Sequence, residues 1–248
     1  PGRFELTKFA MMPFAGESAE SRSVAAWNVY DKYLAKAGEH KGVHLLTIYA
    51  HGPGMVFTTA KPVKGIADFE GLKVRVGGGM AADVAKAVGA NPIAKPAPES
   101  YELLSTGVAD GVFFPAESLV SFKLDRLVKN ATVFPGGLYS DTHAVIMNED
   151  ALARLSPADR ETFLKLSGEH MARLAGKAWD KHDAEGRAAL QASGANVIKA
   201  DAAFVEAVKQ KTEPFERDWL AAAKAQGIDG PAALAAFREE LGRLDAKP

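Results

Sequence analysis

Phe69-Glu70-Gly71-Leu72-Lys73-Val74-Arg75-Val76-Gly77-Gly78-Gly79-Met80-Ala81-Ala82 is the stretch on which the fold reading turns. Apolar and charged residues alternate over 73–76, as in a strand. Three glycines then lead into a helix over about 80–88, with Gly89 behind it as a stop. Strand, glycine turn and helix make the first half of a βαβ unit. The pattern recurs on both sides. Upstream, a helix from Ser18 or Ser21 to about residue 36 precedes a β-rich run over 43–50. His51-Gly52-Pro53-Gly54 then turns the chain sharply into a short strand over 55–59. Downstream come strand 92–95, helix 98–106, strand 111–114, helix 117–127, an extended 132–134 and strand 143–147. Strands alternating with helices imply an α/β protein with a largely parallel sheet.

The last hundred residues read differently. Ser156-Pro157 starts a helix, with serine as cap and proline at the first helical position. A stripe of Phe163, Leu166, Leu174 and Trp179 carries it toward Leu190, so the pattern predicts one very long helix spanning more than one domain. An isolated strand follows over 196–198. Asp201 caps a further helix that Pro214 is expected to kink or break. A final helix is expected over about 231–244.

Composition narrows the function. The chain has 248 residues, with 30 Lys+Arg against 31 Asp+Glu and a net charge of −1. That balance argues against nucleic-acid binding, which needs a surplus of basic residues. No uninterrupted apolar run of about 18 residues suggests a transmembrane helix. Zero cysteines remove disulfides, thiol catalysis and cysteine-ligated metals. Among six histidines only His40 and His44 have metal-like spacing, and Gly42 lies between them with no acidic motif nearby; no metal site is expected. No nucleophile elbow or phosphate-binding loop motif is present, so no catalytic constellation emerges.

Two functional readings compete for the glycine turn. Gly77-x-Gly79-x-x-Ala82 loosely matches a dinucleotide fingerprint, with Glu99 at the distance of a ribose contact. This predicts a nucleotide-dependent oxidoreductase built on Gly77–Ala82. Against it, Arg75 precedes the glycines where an apolar residue is expected, and Lys95-Pro96 interrupts the next strand. The rival is an anion site, in which the Arg75 guanidinium and the free amides of a helix N-terminus face one carboxylate. Phe113 and Phe114 end a strand at the same sheet edge and point to opposite faces, so one is core and the other a candidate for the crevice. His51 is either a turn residue or a crevice donor, and His143 reads as core. A scaffold with an empty crevice is the third alternative.

The segment Phe69–Val76 resembles the "DLKGLKIRV" segment of solute-binding proteins of tripartite ATP-independent periplasmic (TRAP) transporters. Val88-Gly89-Ala90-Asn91-Pro92 is similar to that family's "LGATP", Glu99 and Tyr101 to its "EVYxALQxG", and Val108-Ala109-Asp110-Gly111 to its "VVDG". Met147-Asn148, followed by Leu155-Ser156-Pro157-Ala158-Asp159, resembles its strand and "LPxD" helix start. The resemblance implies an α/β, two-domain periplasmic binding fold with the ligand cleft between domains and a long domain-spanning helix. Residues 1–51 and 141–180 would form one domain, and 52–140 and 181–248 the other, with the C-terminal helices. Closure would hinge about the crossings at 50–54 and 139–142.

In that family the counterpart of Arg75 forms a bidentate salt bridge to a carboxylate. Here Gly77 and Gly78 would assist through backbone amides, and Phe114 would pack on the ligand body. Tyr139, Asp141 and His51 are candidate polar contacts. Phe114 stands where an amide is common and Ala97 where an aromatic is common, which implies a roomier, more apolar pocket for an aromatic or longer organic acid. A second basic residue of the family is replaced near Met55. The implied partners are a small organic acid, such as an aromatic monocarboxylate, and the TRAP membrane subunits. The implied location is the periplasm, with no cofactor and no turnover. Family chains carry a βαβ-rich portion before a "TPGRF" turn like Pro1-Gly2-Arg3-Phe4, so the chain is expected to lack roughly two βαβ units of ~30 residues each.

Overall fold

The alternating segments fold into two sheets in a computed structural model that describes residues 4–246. In chain order the elements are α1 (Ala19–Val29), β1 (His44–Ala50), β2 (Met55–Thr58), β3 (Lys73–Val76), α2 (Gly79–Ala87), β4 (Asn91–Ala94), α3 (Ser100–Ser105), β5 (Gly111–Phe114), α4 (Ser118–Ser121), β6 (Asn130–Val133), β7 (Thr142–Met147), α5 (Glu149–Ala153), α6 (Pro157–Lys165), α7 (Glu169–Ala192), β8 (Asn196–Lys199), α8 (Ala202–Ala225) and α9 (Gly230–Asp245). The expected opening turn falls, at residues 1–3, outside the described residues.

The larger sheet has six strands in the order β4-β3-β5-β2-β6-β8, and β1 pairs with β7 in a separate antiparallel ladder. β3 runs parallel to β4 and β5, and β6 parallel to β8, but β2 is antiparallel to both its neighbours. The expected largely parallel sheet is therefore mixed. Residues 59–72, which join β2 to β3 of the same sheet, hold no α-helix to return the chain across it, and β3 runs opposite to β2. Strand alternation then sorts the side chains. Val74 and Val76 face a core shared with α2 and the first half of α8, through Phe204 and Val208. Phe57, Val112 and Phe114 face a second core with Leu119, Leu124 and Leu190.

A third core lies beneath β1. It joins α1, the segment around Leu6 and Phe9, Trp219 and Ala223 from the far end of α8, and Leu234, Phe237 and Leu241 of α9. The C-terminal helix thus packs with the first sixth of the chain rather than with the six-stranded sheet, which differs from grouping 181–248 as one block.

The long helix is broken once. Gly168 (φ 62°) separates α6 from α7. Its N–H donates to Leu46 O at 2.7 Å, its carbonyl accepts from Thr47 Oγ1 at 2.8 Å, and a Cβ there would stand 3.1 Å from the Trp27 ring. The break lets the chain dock onto β1. Two other helices also differ from expectation. α8 runs through Pro214, because the carbonyl that loses its donor belongs to solvent-exposed Gln210. The helix expected over 117–127 shrinks to α4, ended by Lys123 in the left-handed region (φ 57°).

α7 grips both halves of the molecule. The Asp180 carboxylate accepts from Ser18 Oγ (2.7 Å), Ala19 N (2.6 Å) and Glu20 N (3.0 Å), capping α1. One turn later, Asp183 Oδ1 accepts from Glu117 N at 2.8 Å, just behind the end of β5. Asp183 is 1% exposed and its second oxygen has no donor among the described residues. Burial pushes its carboxyl above the usual carboxylate range. An acid whose pKa is raised by folding contributes stability below its unfolded value, and that contribution fades as pH climbs through the folded one. Asp183→Asn keeps the acceptor for Glu117 and does not titrate. Its stability relative to wild type is expected to rise as pH climbs from about 4, as read from urea midpoints at stepped pH. A difference independent of pH contradicts this.

Candidate functional site: a cavity around a buried guanidinium

Arg75 occupies the face of β3 opposite Val74 and Val76, and it is 2% exposed. Its Nε and Nη2 both donate to Lys95 O, at 2.9 and 2.6 Å, and its Cζ lies 4.4 Å from the centre of the Phe114 ring. Lys95 follows β4, the parallel neighbour of β3, so the sheet register itself supplies that carbonyl. Phe114 is in turn stacked on Phe122, with centroids 5.4 Å apart and planes at 16°. Among the described residues no carboxylate forms an ion pair with Arg75, and Nη1 has no acceptor. Burial lowers the Arg75 pKa from its ordinary value, while Tyr139, Asp141 and Glu99 act against that. A guanidinium buried without a counter-ion is costly. A carboxylate arriving from solvent relieves that cost.

The guanidinium faces a cavity of about 820 Å³. The glycine turn forms one wall: Gly77, Gly78 (φ 103°) and Gly79 (φ 53°) all line it, with the first amides of α2 behind them. A Cβ on Gly78 would meet nothing, so this glycine is required by its backbone angle and not by crowding. Tyr139 lines the opposite side beneath the crossing. Gly54 N–H donates to its carbonyl at 2.8 Å, and a Cβ on Gly54 would lie 2.3 Å from its ring. Its hydroxyl has no partner among the described residues. Burial, aided by Asp141, raises the phenol well above its ordinary pKa, so it stays a neutral donor.

His51 lines the cavity with both ring nitrogens engaged. Asp141 N–H donates to Nε2 at 3.0 Å, which leaves the proton on Nδ1, 2.6 Å from Gly52 O. His51 therefore clamps one crossing to the other as a neutral ring. The Asp141 carboxylate also faces the cavity, with Oδ2 at 3.8 Å from His51 Nε2.

The structure brings all seven predicted residues to one cavity: Arg75, Phe114, His51, Tyr139, Asp141, Gly77 and Gly78. Phe114 holds the guanidinium as well as lining the wall. His143 is not core, contrary to expectation. It sits on β7, which among the described residues pairs with β1 alone, and it is exposed toward the cavity, stacked 5.2 Å from Tyr49 and 6.3 Å from Trp179. Burial among those rings, then His51, lowers its pKa. Trp179 was missed as a wall residue because it reads as one more apolar position on the long-helix stripe. Met11, Phe122 and Thr142 also line the cavity and carry no local signal. His40 is held through Nδ1 by the Tyr30 hydroxyl at 2.8 Å, and among the described residues no three metal-ligating side chains converge. The dinucleotide reading finds no support: Glu99 pairs with Lys95 at 3.5 Å, and the guanidinium occupies the place beside the turn.

An α/β fold with a cavity around one buried guanidinium has the architecture of a solute-binding protein. The profile described as "Bacterial extracellular solute-binding protein, family 7" (DctP) matches residues 2–222, and the chain belongs to this family. Its fold is the two-domain periplasmic binding fold. It is 70% identical to a TRAP periplasmic solute-binding protein from Bordetella bronchiseptica, solved with bound (R)- and (S)-mandelate. That match has a TM-score of 0.96 and covers 98% of this chain and 78% of the other. A TRAP solute-binding protein from Rhodoferax ferrireducens, solved with copurified benzoate, is 28% identical with a TM-score of 0.88, over 98% of this chain and 76% of the other. The protein named outer membrane transporter protein TsaT, from Comamonas testosteroni, is 30% identical over 95% of this chain and 70% of its own length. Among the described residues no helix is long and apolar enough to cross a membrane.

The buried phenol gives a direct check. In a spectrophotometric titration, Tyr139→Phe is expected to leave the phenolate absorbance rise between about pH 9 and 11 undiminished, because Tyr139 takes no part in it. Loss of one tyrosine's amplitude in that range contradicts the assignment.

Proposed function

We propose that this chain captures an aromatic monocarboxylic acid of the mandelate kind in the periplasm and delivers it to TRAP membrane subunits. The observation that carries the reading is the Arg75 guanidinium, buried, without a counter-ion, and aimed into a cavity walled by Phe114, Tyr139, His143 and Trp179. The carboxylate binds Nη1 and the Tyr139 hydroxyl, with the amides near Gly77 to Gly79 assisting. The aromatic body lies among the rings. The mandelate and benzoate bound by the Bordetella and Rhodoferax proteins support this ligand class. The ligand is held without turnover.

Closure hinges about the crossings at 50–54 and 139–142. Residues 1–51 and 141–180 move as one unit, carrying α9, against the six-stranded sheet of 52–140 and the part of 181–248 packed on it. Closure then presents a new surface to the membrane partner.

Arg75→Lys keeps the charge but removes the planar fork that Lys95 O and Phe114 hold. By calorimetry, mandelate and benzoate are expected to bind this variant about 30- to 100-fold more weakly, the worth of a charge-assisted hydrogen-bond pair. Urea unfolding of the ligand-free variant serves as the folding control. Unchanged affinity in a folded variant removes Arg75 from the site.

A further inference from the structure

We propose that Asp141 determines specificity within this cavity: it selects acids bearing a hydroxyl on the carbon next to the carboxylate and rejects a second carboxylate there. The proposal rests on Arg75 holding the ligand's carboxylate.

Asp141 is pinned by its backbone. Its N–H donates to His51 Nε2 at 3.0 Å, and its carbonyl accepts from His51 N at 3.3 Å. Its side chain, 29% exposed, faces the cavity, and neither carboxylate oxygen accepts a hydrogen bond from a described residue. The nearest ring nitrogen, His51 Nε2 at 3.8 Å, carries a lone pair in the tautomer the hydrogen bonds require, so it donates nothing. Asp141 and Arg75 feel each other's charge without forming an ion pair. The other charged side chains on this wall have partners of their own, Asp83 lying 4.0 Å from Lys8. Glu117 accepts from the Ser118 and Ser121 hydroxyls, and Lys8 is paired with Glu5 at 2.7 Å.

An ionised carboxylate only accepts. A ligand anchored on Arg75 brings the substituent of its first carbon toward Asp141. A hydroxyl there makes a short charge-assisted bond, a hydrogen leaves the carboxylate without a donor, and a second carboxylate meets a like charge. Three probes separate these cases: mandelate with the hydroxyl, phenylacetate without it, and phenylmalonate with a carboxylate in its place.

Calorimetric titration of the three acids against wild type, Asp141→Ala and the near-isosteric Asp141→Asn tests the assignment. Wild type is expected to prefer mandelate to phenylacetate by about 10-fold or more and to show no binding of phenylmalonate. In Asp141→Ala the preference collapses and phenylacetate binds more tightly, because the like charge is gone. In Asp141→Asn phenylmalonate binds measurably, and this arm decides the matter if the alanine variant does not fold. A mandelate preference that persists in both folded variants overturns the role of Asp141 and leaves the carboxylate site intact. Failure of wild type to bind any of the three acids overturns the carboxylate site itself, and this proposal with it.

Discussion

A guanidinium held out of water without a partner carboxylate is the constraint around which this molecule is arranged. Taking such a charge out of water costs several kcal/mol even after relaxation. The protein offsets part of that cost with one carbonyl, Lys95 O, and one aromatic face, Phe114. Both supports are products of sheet geometry. The parallel register of β3 and β4 brings residue 95 alongside, and β5 on the other side ends in Phe114. Strand alternation sends Val74 and Val76 into the core and leaves Arg75 on the cavity face. In the proposed function a ligand's carboxylate fills the remaining deficit, which gives affinity and preorganisation one origin.

The elements around the cavity are tied together at a few fixed points. His51 joins the two crossings through Asp141, and Gly54 lets Tyr139 pass directly over the backbone. α7 is bolted to α1 by Asp180 and Gly176 and to the 116–117 segment by Asp183 and Gly186; a Cβ on Gly176 would stand 2.4 Å from Glu20, and one on Gly186 2.0 Å from Ala116 O. Trp179 enters the cavity from the first of these attachments, one residue before Asp180. The attachment that holds α7 to α1 is thus the one that carries Trp179 to the cavity wall.

What was legible in the sequence was whatever local pattern controls. Alternation over Lys73–Val76 put Arg75 on its own face, the glycines announced the turn beside it, and Phe114 at a strand end pointed to the same edge. The first crossing was legible as Gly52-Pro53-Gly54. What was not legible depends on partners distant in the chain. Trp179 and Phe122 look like core positions until packing turns them toward a cavity, and His143 reads as core until β7 turns out to have a single partner strand. The sheet's mixed direction depends on β2 pairing with β5 and β6, strands far downstream, and the break at Gly168 depends on Trp27, 141 positions earlier in the chain. Arrangement of the C-terminal residues is of the same kind: α9 is amphipathic in any reading, but which core it completes is decided by Phe9 and Ile48.

In the proposed function a negative charge on the ligand, met by Arg75, drives binding to this cavity. Its most direct test is calorimetry of mandelate against mandelamide, which has the same ring and hydroxyl and nearly the same shape but carries a neutral amide in place of the carboxylate. Mandelate is expected to bind, and mandelamide to bind at least about 100-fold more weakly, since the buried guanidinium then lacks its counter-ion. Equal affinity for the two would contradict it.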